Sequence, residues 1–334
     1  LSKKQKRRQR VVLLGLLVAL LGLVVVDLQS GYANISLTQI GEILSGRASR
    51  ALTYTFLELR MPRIVVSLLV GVGLSVSGML MQSVTRNEMA DPGLLGMNAG
   101  SGLLLAVFFV FFKQSVDRFS FWLPVLSFAG ALGVFGLEYR LALVRQKMHP
   151  KRLLLMGVAI SLALSSLTTM LMLRLPDQDY AFVQNWLAGN IWGASWGNAA
   201  LLAVGFVPLL GVAFYGAKTL NLFDLGEIPA TALGVDVKRQ TKKFLLAAIA
   251  LSSLCCAVGG GLSFVGLICP HLARKLVGVN HRVLVIGSVL LGGVLLTGAD
   301  IVSRTLLLPN EIPVGIVATV LGAPYFLYLL VKEK

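Results

Sequence analysis

Charge is scarce in this chain. Only 13% of its 334 residues are Asp, Glu, Lys or Arg, against about 25% in a typical soluble domain. Hydrophobic residues make up 56% and the mean hydropathy is +0.81, which excludes an ordinary soluble enzyme. Cysteine is scarce too. Cys255, Cys256 and Cys269 lie in apolar surroundings without C-x-x-C spacing, so neither a disulfide framework nor a zinc site is indicated. The three histidines, His149, His271 and His281, are scattered and form no H-E-x-x-H pair, so no metal site is expected. A phosphate-binding G-x-x-x-x-G-K-[ST] loop is also missing. Gly211 to Thr219 (GVAFYGAKT) carries one residue too many and ends an apolar helix instead of following a strand. No nucleotide site is expected on this chain. The net charge of +15 lies in short tracts between apolar runs, with no aromatic and basic face to stack bases, which argues against nucleic acid.

Long apolar runs fill the space these absences leave. A membrane span takes about 20 predominantly apolar residues, and the chain offers ten runs: 11–26, 62–81, 94–112, 119–143, 153–173, 197–215, 244–258, 262–273, 283–302 and 314–331. The reading is an all-α polytopic membrane protein of about ten transmembrane helices, with residues 1–334 forming one transmembrane domain. The tract Lys3, Lys4, Lys6, Arg7, Arg8, Arg10 precedes the first run. No small-residue cleavage site follows that run, so residues 1–10 read as a basic cytoplasmic tail before a retained span. Alternating the ten spans from there places 22 of the 30 Lys and Arg residues inside and 8 outside. That is the asymmetry of the positive-inside rule, with both termini cytoplasmic. The seventh and eighth runs are short and joined by Gly259-Gly260-Gly261, which predicts broken or tilted helices lining an interior. Residues 30–58 read as an external loop with a surface helix near Ile35 to Leu44.

Polar groups inside the spans are few. Asp300 and Arg304 stand at i,i+4, the spacing of an ion pair, and Asp300 is also the one candidate for ion coupling. Gly71, Ser75, Gly78 and Gln82 share a face of the second span, and Ser161, Ser165 and Thr168 share a face of the fifth. Such faces either pack helices closely or line a hydrophilic path, to which Asn98 would add. Arg60 and Arg63 flank Pro62, which suits the first turn of a helix. Two cations at a helix N-terminus oppose its dipole, so an acidic external partner, Glu58 or lipid phosphate is needed to explain them. The inner connection 218–243 holds Leu225 to Val235 (LGEIPATALGV), a short helix closed by glycine. Its exposed Ile228, Ala232 and Leu233 suit a groove on a cytoplasmic partner.

Six strings together resemble the FecCD-type permeases of bacterial ATP-binding-cassette importers for iron-siderophores, haem and cobalamin. They are Leu59 to Arg63 (LRMPR), Gly78 to Gly96 (GMLMQSVTRNEMADPGLLG), Trp186 to Trp196 (WLAGNIWGASW), Leu233 to Val237 (LGVDV), Ser263 to Arg274 (SFVGLICPHLAR) and Ala299 to Pro324 (ADIVSRTLLLPNEIPVGIVATVLGAP). One departure is Asn87-Glu88-Met89, where that family often has N-P-L-A. The resemblance implies a cobalamin-permease-like fold in a bacterial plasma membrane. It also implies a second permease subunit, an extracytoplasmic binding protein above and two ATPase subunits beneath, with ATP and Mg held by the ATPases and no cofactor on this chain. It implies that Arg60, Arg63 and Arg304 meet acidic residues of the binding protein. The coupling segment containing Leu225, Glu227, Ala230, Ala232, Leu233, Gly234 and Val235 would sit in the ATPase groove. The expected function is movement of a ferric siderophore without catalysis by this chain. The alternatives are haem or cobalamin as cargo, or an ion-coupled carrier using Asp300. A third, an intramembrane enzyme using Cys269 and His271, places its two groups at i,i+2, where they do not face each other.

Overall fold

A computed structural model describes residues 3–31, 35–112, 122–144, 147–191 and 193–332. Helix α1, Lys3–Gln29, starts eight residues before the first apolar run, because the Lys, Arg and Gln of the basic tract are themselves good helix formers. The tract expected as a tail therefore continues the helix. Helix α2, Leu37–Leu44, is the surface helix expected near Ile35, and it opens on a capping box. The Ser36 hydroxyl accepts from the Gln39 backbone N–H at 3.2 Å, and the Gln39 side chain accepts from the Ser36 N–H at 2.9 Å.

The second span departs from expectation. Helix α3, Arg50–Tyr54, runs through a π-helical turn, Thr55–Arg60, into α4, Met61–Thr85, giving continuous helix from Arg50 to Thr85. Pro62 lacks an N–H and its ring crowds the carbonyl four residues back, and the wider π turn absorbs that misfit without ending the helix. Arg60 and Arg63 thus do not stand at a helix N-terminus. The dipole reading of these two cations is corrected accordingly.

The remaining helices are α5 Met97–Phe112, α6 Trp122–Ala142, α7 Pro150–Met172, α8 Asp177–Leu187, α9 Trp196–Phe223, α10 Glu227–Ala232, α11 Val237–Gly259, α12 Val265–Val277, α13 His281–Thr305 and α14 Val314–Lys332. Each of the ten expected apolar runs coincides with a helix over most of its described residues; residues 119–121 of the fourth lie outside them, and 262–264 of the eighth are in the glycine break. Seven helices among the described residues are long and apolar enough to cross a membrane, and α5 and Val314–Tyr328 of α14 are shorter apolar helices. The 13-residue α12 is the half-length piece that follows the glycine break. A two-residue antiparallel pairing, Leu143–Val144 with Lys147–Met148, lies between α6 and α7.

Helix α4 is the hub. Its apolar window is 83% buried against 11% for α1, and α9, α11, α12 and α13 all pack on it. Lipid offers no hydrophobic drive for that packing, so close contact and hydrogen bonds must hold it. Gly71 and Gly292 let α4 and α13 cross so tightly that a methyl group on either would enter the carbonyl of the other, and Gly78 meets the Gly266 carbonyl of α12 the same way. The Ser75 hydroxyl donates to the Ser288 carbonyl at 2.7 Å, the Gln82 amide donates to the Leu267 carbonyl at 3.0 Å, and Ser77 donates to Ala248.

At the glycine break the chain turns without helix. Gly260 and Phe264 both have φ of 69°, the left-handed region that glycine enters freely and phenylalanine does not. The Gly261 N–H donates to the Trp186 carbonyl at 3.1 Å, and the Gly315 N–H donates to the Gly189 carbonyl at 2.8 Å. The end of α8, the break and the start of α14 thus meet backbone to backbone.

Candidate functional site

Two clusters of polar side chains, and a protruding helix beside the second, stand out on this frame. The first gathers the arginines. Arg63 of α4 points its Nε and Nη2 at Asp300 of α13, at 3.1 and 2.9 Å, while its Nη1 reaches Glu311 at 2.9 Å. Arg304, one turn after Asp300, sits 3.3 Å from it, as the i,i+4 spacing predicts, and also pairs with Asp27 at the end of α1. Arg60 donates to the Leu28 carbonyl of the same α1 turn. Asp27 and Asp300 are fully buried, and Arg60 and Arg304 nearly so. The fold gathers Arg60, Arg63 and Arg304 at one end of the bundle and gives Arg63 and Arg304 acids of the chain's own. Asp27 and Glu311 were not anticipated: Asp27 closes an apolar run, and Glu311 lies 248 positions from Arg63.

The second cluster lies at the opposite end of α4 and α13. The His281 backbone N–H donates to Oδ1 of Asn221 at 2.9 Å, which fixes that oxygen toward the ring, and His281 Nδ1 stands 3.0 Å from it. Nδ1 therefore donates to it, while Nε2 lies 2.7 Å from the Ser83 hydroxyl, which also donates to the Met79 carbonyl at 2.8 Å. Glu88, the family departure, has a partner here. Its carboxylate lies 2.8 Å from His271 Nδ1 and 3.4 Å from Arg274 of α12. Nearby, the buried Asp91 carboxylate in the α4–α5 connection accepts from the Gly93 and Phe264 amides, and burial pushes it up to about 6 against those two bonds.

Beside this cluster protrudes α10. It follows Asp224, the C-cap of α9, and is bounded by Gly226 at φ 114° and Gly234 at φ 84°. Helix α9 extends to Phe223 and α11 starts at Val237 after its Asp236 cap, so the connection expected over 218–243 is shorter than the sequence suggested. Ile228 is 84% exposed; Leu225, Glu227, Ala232, Leu233 and Gly234 are exposed as well, and Val235 is half-buried. Ala230 faces inward, and its carbonyl accepts from the Val235 N–H at 3.1 Å.

The candidate path residues divide. Ser75 and Gln82 are buried in the α4 contacts described above. Asn98 of α5 accepts from the Cys256 thiol at 3.2 Å. On α7, Thr168 is buried and donates to the Leu164 carbonyl, Ser161 is half-buried, and Ser165 is exposed. Sequence reasoning missed Glu138 of α6. It is fully buried against Gly96, and neither carboxyl oxygen has a hydrogen-bond partner among the described residues. Cys255, Cys256 and Cys269 are buried free thiols, and no group of three or more potential metal ligands occurs among the described residues.

A helical domain with seven helices long and apolar enough to cross a membrane, tied at two ends by buried polar groups, is that of a polytopic membrane protein. The FecCD transport family matches residues 16–332, and the chain belongs to that family. It is 39% identical to the iron(3+)-hydroxamate import system permease protein FhuG of Bacillus subtilis (strain 168) over 313 residues, 92% of this chain and 93% of the relative. It is 37% identical to the Fe(3+) dicitrate transport system permease protein FecD of Escherichia coli (strain K12), over 84% and 86% of the two chains. Among solved structures it superposes with a TM-score of 0.83 and 28% identity on an inward-facing protein described as a metal-chelate type ABC transporter, over 96% and 99% of the two chains.

Proposed function

We propose that this chain is the permease subunit of an ATP-driven importer that moves a ferric siderophore across a bacterial plasma membrane. The observation that carries this is the match to an iron(3+)-hydroxamate permease along 92% of the chain and 93% of the relative. Both termini are cytoplasmic in this reading, so the arginine end faces outward and α10 faces the cytoplasm.

The parts then act in sequence. An acidic binding protein settles on the end that carries Arg60, Arg63 and Arg304. Two ATPase subunits, which hold ATP and Mg, take α10 into a groove, with Leu225, Ile228, Ala232 and Leu233 as the inserted side chains. Nucleotide-driven closure moves α10, and the motion passes into α9 and α11, which flank it without a long linker. Cargo passes between two permease subunits, along a face to which α7 contributes Ser161 and Ser165 and α5 contributes Asn98, while Ser75, Gln82 and Thr168 hold the wall in shape. This chain breaks no covalent bond. Asp300 is engaged by both Arg63 and Arg304, which favours an anchoring role over ion coupling.

ATP-dependent uptake of radiolabelled ferric hydroxamate into proteoliposomes tests the reading, with haem and cobalamin as rival cargoes. Uptake only when ATPase, binding protein and permease are all present is the expected result. Uptake by this chain alone, collapsing with the proton gradient, would overturn it in favour of a secondary carrier. Uptake of haem or cobalamin instead would replace the cargo and keep the mechanism.

A further inference from the structure

Arg63 is held by two carboxylates that differ in one respect. Asp300 grips the Nε and Nη2 edge at 3.1 and 2.9 Å from a fully buried position. Glu311 takes the remaining Nη1, with its two oxygens at 3.2 and 2.9 Å, and is 34% exposed. Asp300 fixes the plane of the guanidinium; Glu311 covers the part that faces out. Glu311 stands on the connection between α13 and α14, where residues 306–311 are all exposed and where the Ile312 N–H bonds back to the Ser303 carbonyl just beyond it. Of the acids on these arginines, it alone is exposed and stands outside a helix.

Charge bookkeeping at this end points the same way. Three carboxylates, Asp27, Asp300 and Glu311, balance three guanidiniums, Arg60, Arg63 and Arg304, so the cluster presents no net charge while Glu311 is in place. A buried guanidinium left without a carboxylate is strongly unfavourable. Asp300 holds Arg63 through Nε and Nη2 whatever happens at Nη1, so Nη1, on a side chain 11% exposed, is the position where a second anion is favoured, whether the chain's own or another's.

We propose that Glu311 is a placeholder, occupying on Arg63 the position that a carboxylate of the docking partner takes, so that docking is an exchange of one acid for another. The inference rests on the docking role given above to Arg63. The exchange makes the partner's acid compete with an internal one, which lowers affinity and removes long-range attraction until Glu311 leaves. Specificity then comes from the geometry of the Nη1 site, since a surface that is neutral at a distance does not recruit acidic proteins at large.

The test uses the complete transporter in nanodiscs and the purified substrate-binding protein of the same system, with affinity and association rate measured at low and high salt. Glu311→Gln keeps the side chain's shape and removes the competing charge. It is expected to bind the partner roughly tenfold more tightly and to gain a salt-dependent association rate. Glu311→Asp keeps the charge on a shorter arm and is expected to fall between the two, which covers the case in which the amide variant does not assemble. Unchanged or weaker binding in these variants, with binding abolished by Arg63→Gln, would overturn the placeholder and leave Arg63 as a docking residue. Binding that survives Arg63→Gln would overturn the docking role itself.

Discussion

The Ser83 hydroxyl lies 2.7 Å from Nε2 of His281, joining α4 to α13 beside the exposed α10. The other ring nitrogen faces Asn221 of α9, so a single imidazole ties together the hub helix, α13 and the helix that leads into α10. The imidazole offers a different nitrogen to each neighbour, Nδ1 to Asn221 and Nε2 to Ser83, which gives the connection a direction. His281→Ala removes both links and leaves buried Ser83 and half-buried Asn221 without that partner. It is expected to lower stability by about 1–3 kcal/mol, read as an earlier thermal transition in detergent. Ser83→Ala costs less, since the ring keeps Asn221, and a double-mutant cycle between the two should give a coupling energy distinct from zero.

The glycines of the α4 contacts divide sharply by what surrounds them. A methyl group on Gly78 would enter the Gly266 carbonyl, whereas around Gly22 of α1 nothing lies within 4 Å. Gly78→Ala is expected to abolish recovery of a monodisperse protein, because the obstacle is backbone and cannot rotate aside. Gly22→Ala should leave yield and melting temperature unchanged, or raise the latter by the helix-propensity difference of up to about 1 kcal/mol. Size-exclusion profiles of the two variants decide this directly.

Glu138 offers a test with the opposite sign. It is fully buried, with neither oxygen hydrogen-bonded among the described residues, and an isolated carboxylate in such a place is far costlier than an amide of the same shape. Glu138→Gln is therefore expected to melt at the same temperature or higher. A large loss of stability would show that the carboxyl group makes a specific interaction in the folded protein.

On α10, exposure and burial alternate within one turn. Ile228 projects outward and Ala230 faces the body of the protein. With ATPase subunits bound, Ile228→Asp is expected to uncouple nucleotide hydrolysis from transport while leaving the melting temperature of the isolated permease within about 0.5 kcal/mol equivalents of the parent. Ala230→Leu should instead lower that melting temperature, since the added volume has no space to occupy. Uptake and ATP hydrolysis measured side by side separate the two effects.

Much of this was legible in the sequence, and the rest was hidden for identifiable reasons. The apolar runs located the helices, seven of which among the described residues are long and apolar enough to cross a membrane; the glycine triplet located the break before α12, and Gly234 marked the C-terminal end of α10. The helix upstream of Pro62 was not legible, because a proline ahead of an apolar run reads as a helix start, whereas here a π turn carries the helix through it. The acids on Arg60's neighbours were hidden by distance along the chain: Asp300 is 237 positions from Arg63. Ser75 and Gln82 were ambiguous for a different reason. A small polar face that packs helices and one that lines a path have the same spacing, and only the Ser288 and Leu267 carbonyls opposite them show which contact each side chain makes.

The helix that passes through Pro62 also has a mechanical meaning. Its 36 residues from Arg50 to Thr85 amount to about 54 Å at 1.5 Å per residue, well beyond the hydrocarbon thickness of about 30 Å. One strut thus runs from the residues around Arg63 to the Ser83 contact with His281, gripped along its length by four neighbours. Such a member transmits tilt and translation as a whole, with the π turn near one end as its only irregular section. Any displacement imposed at the arginine end must then reappear at the end beside α10 as movement of a lever, with no intervening joint to absorb it.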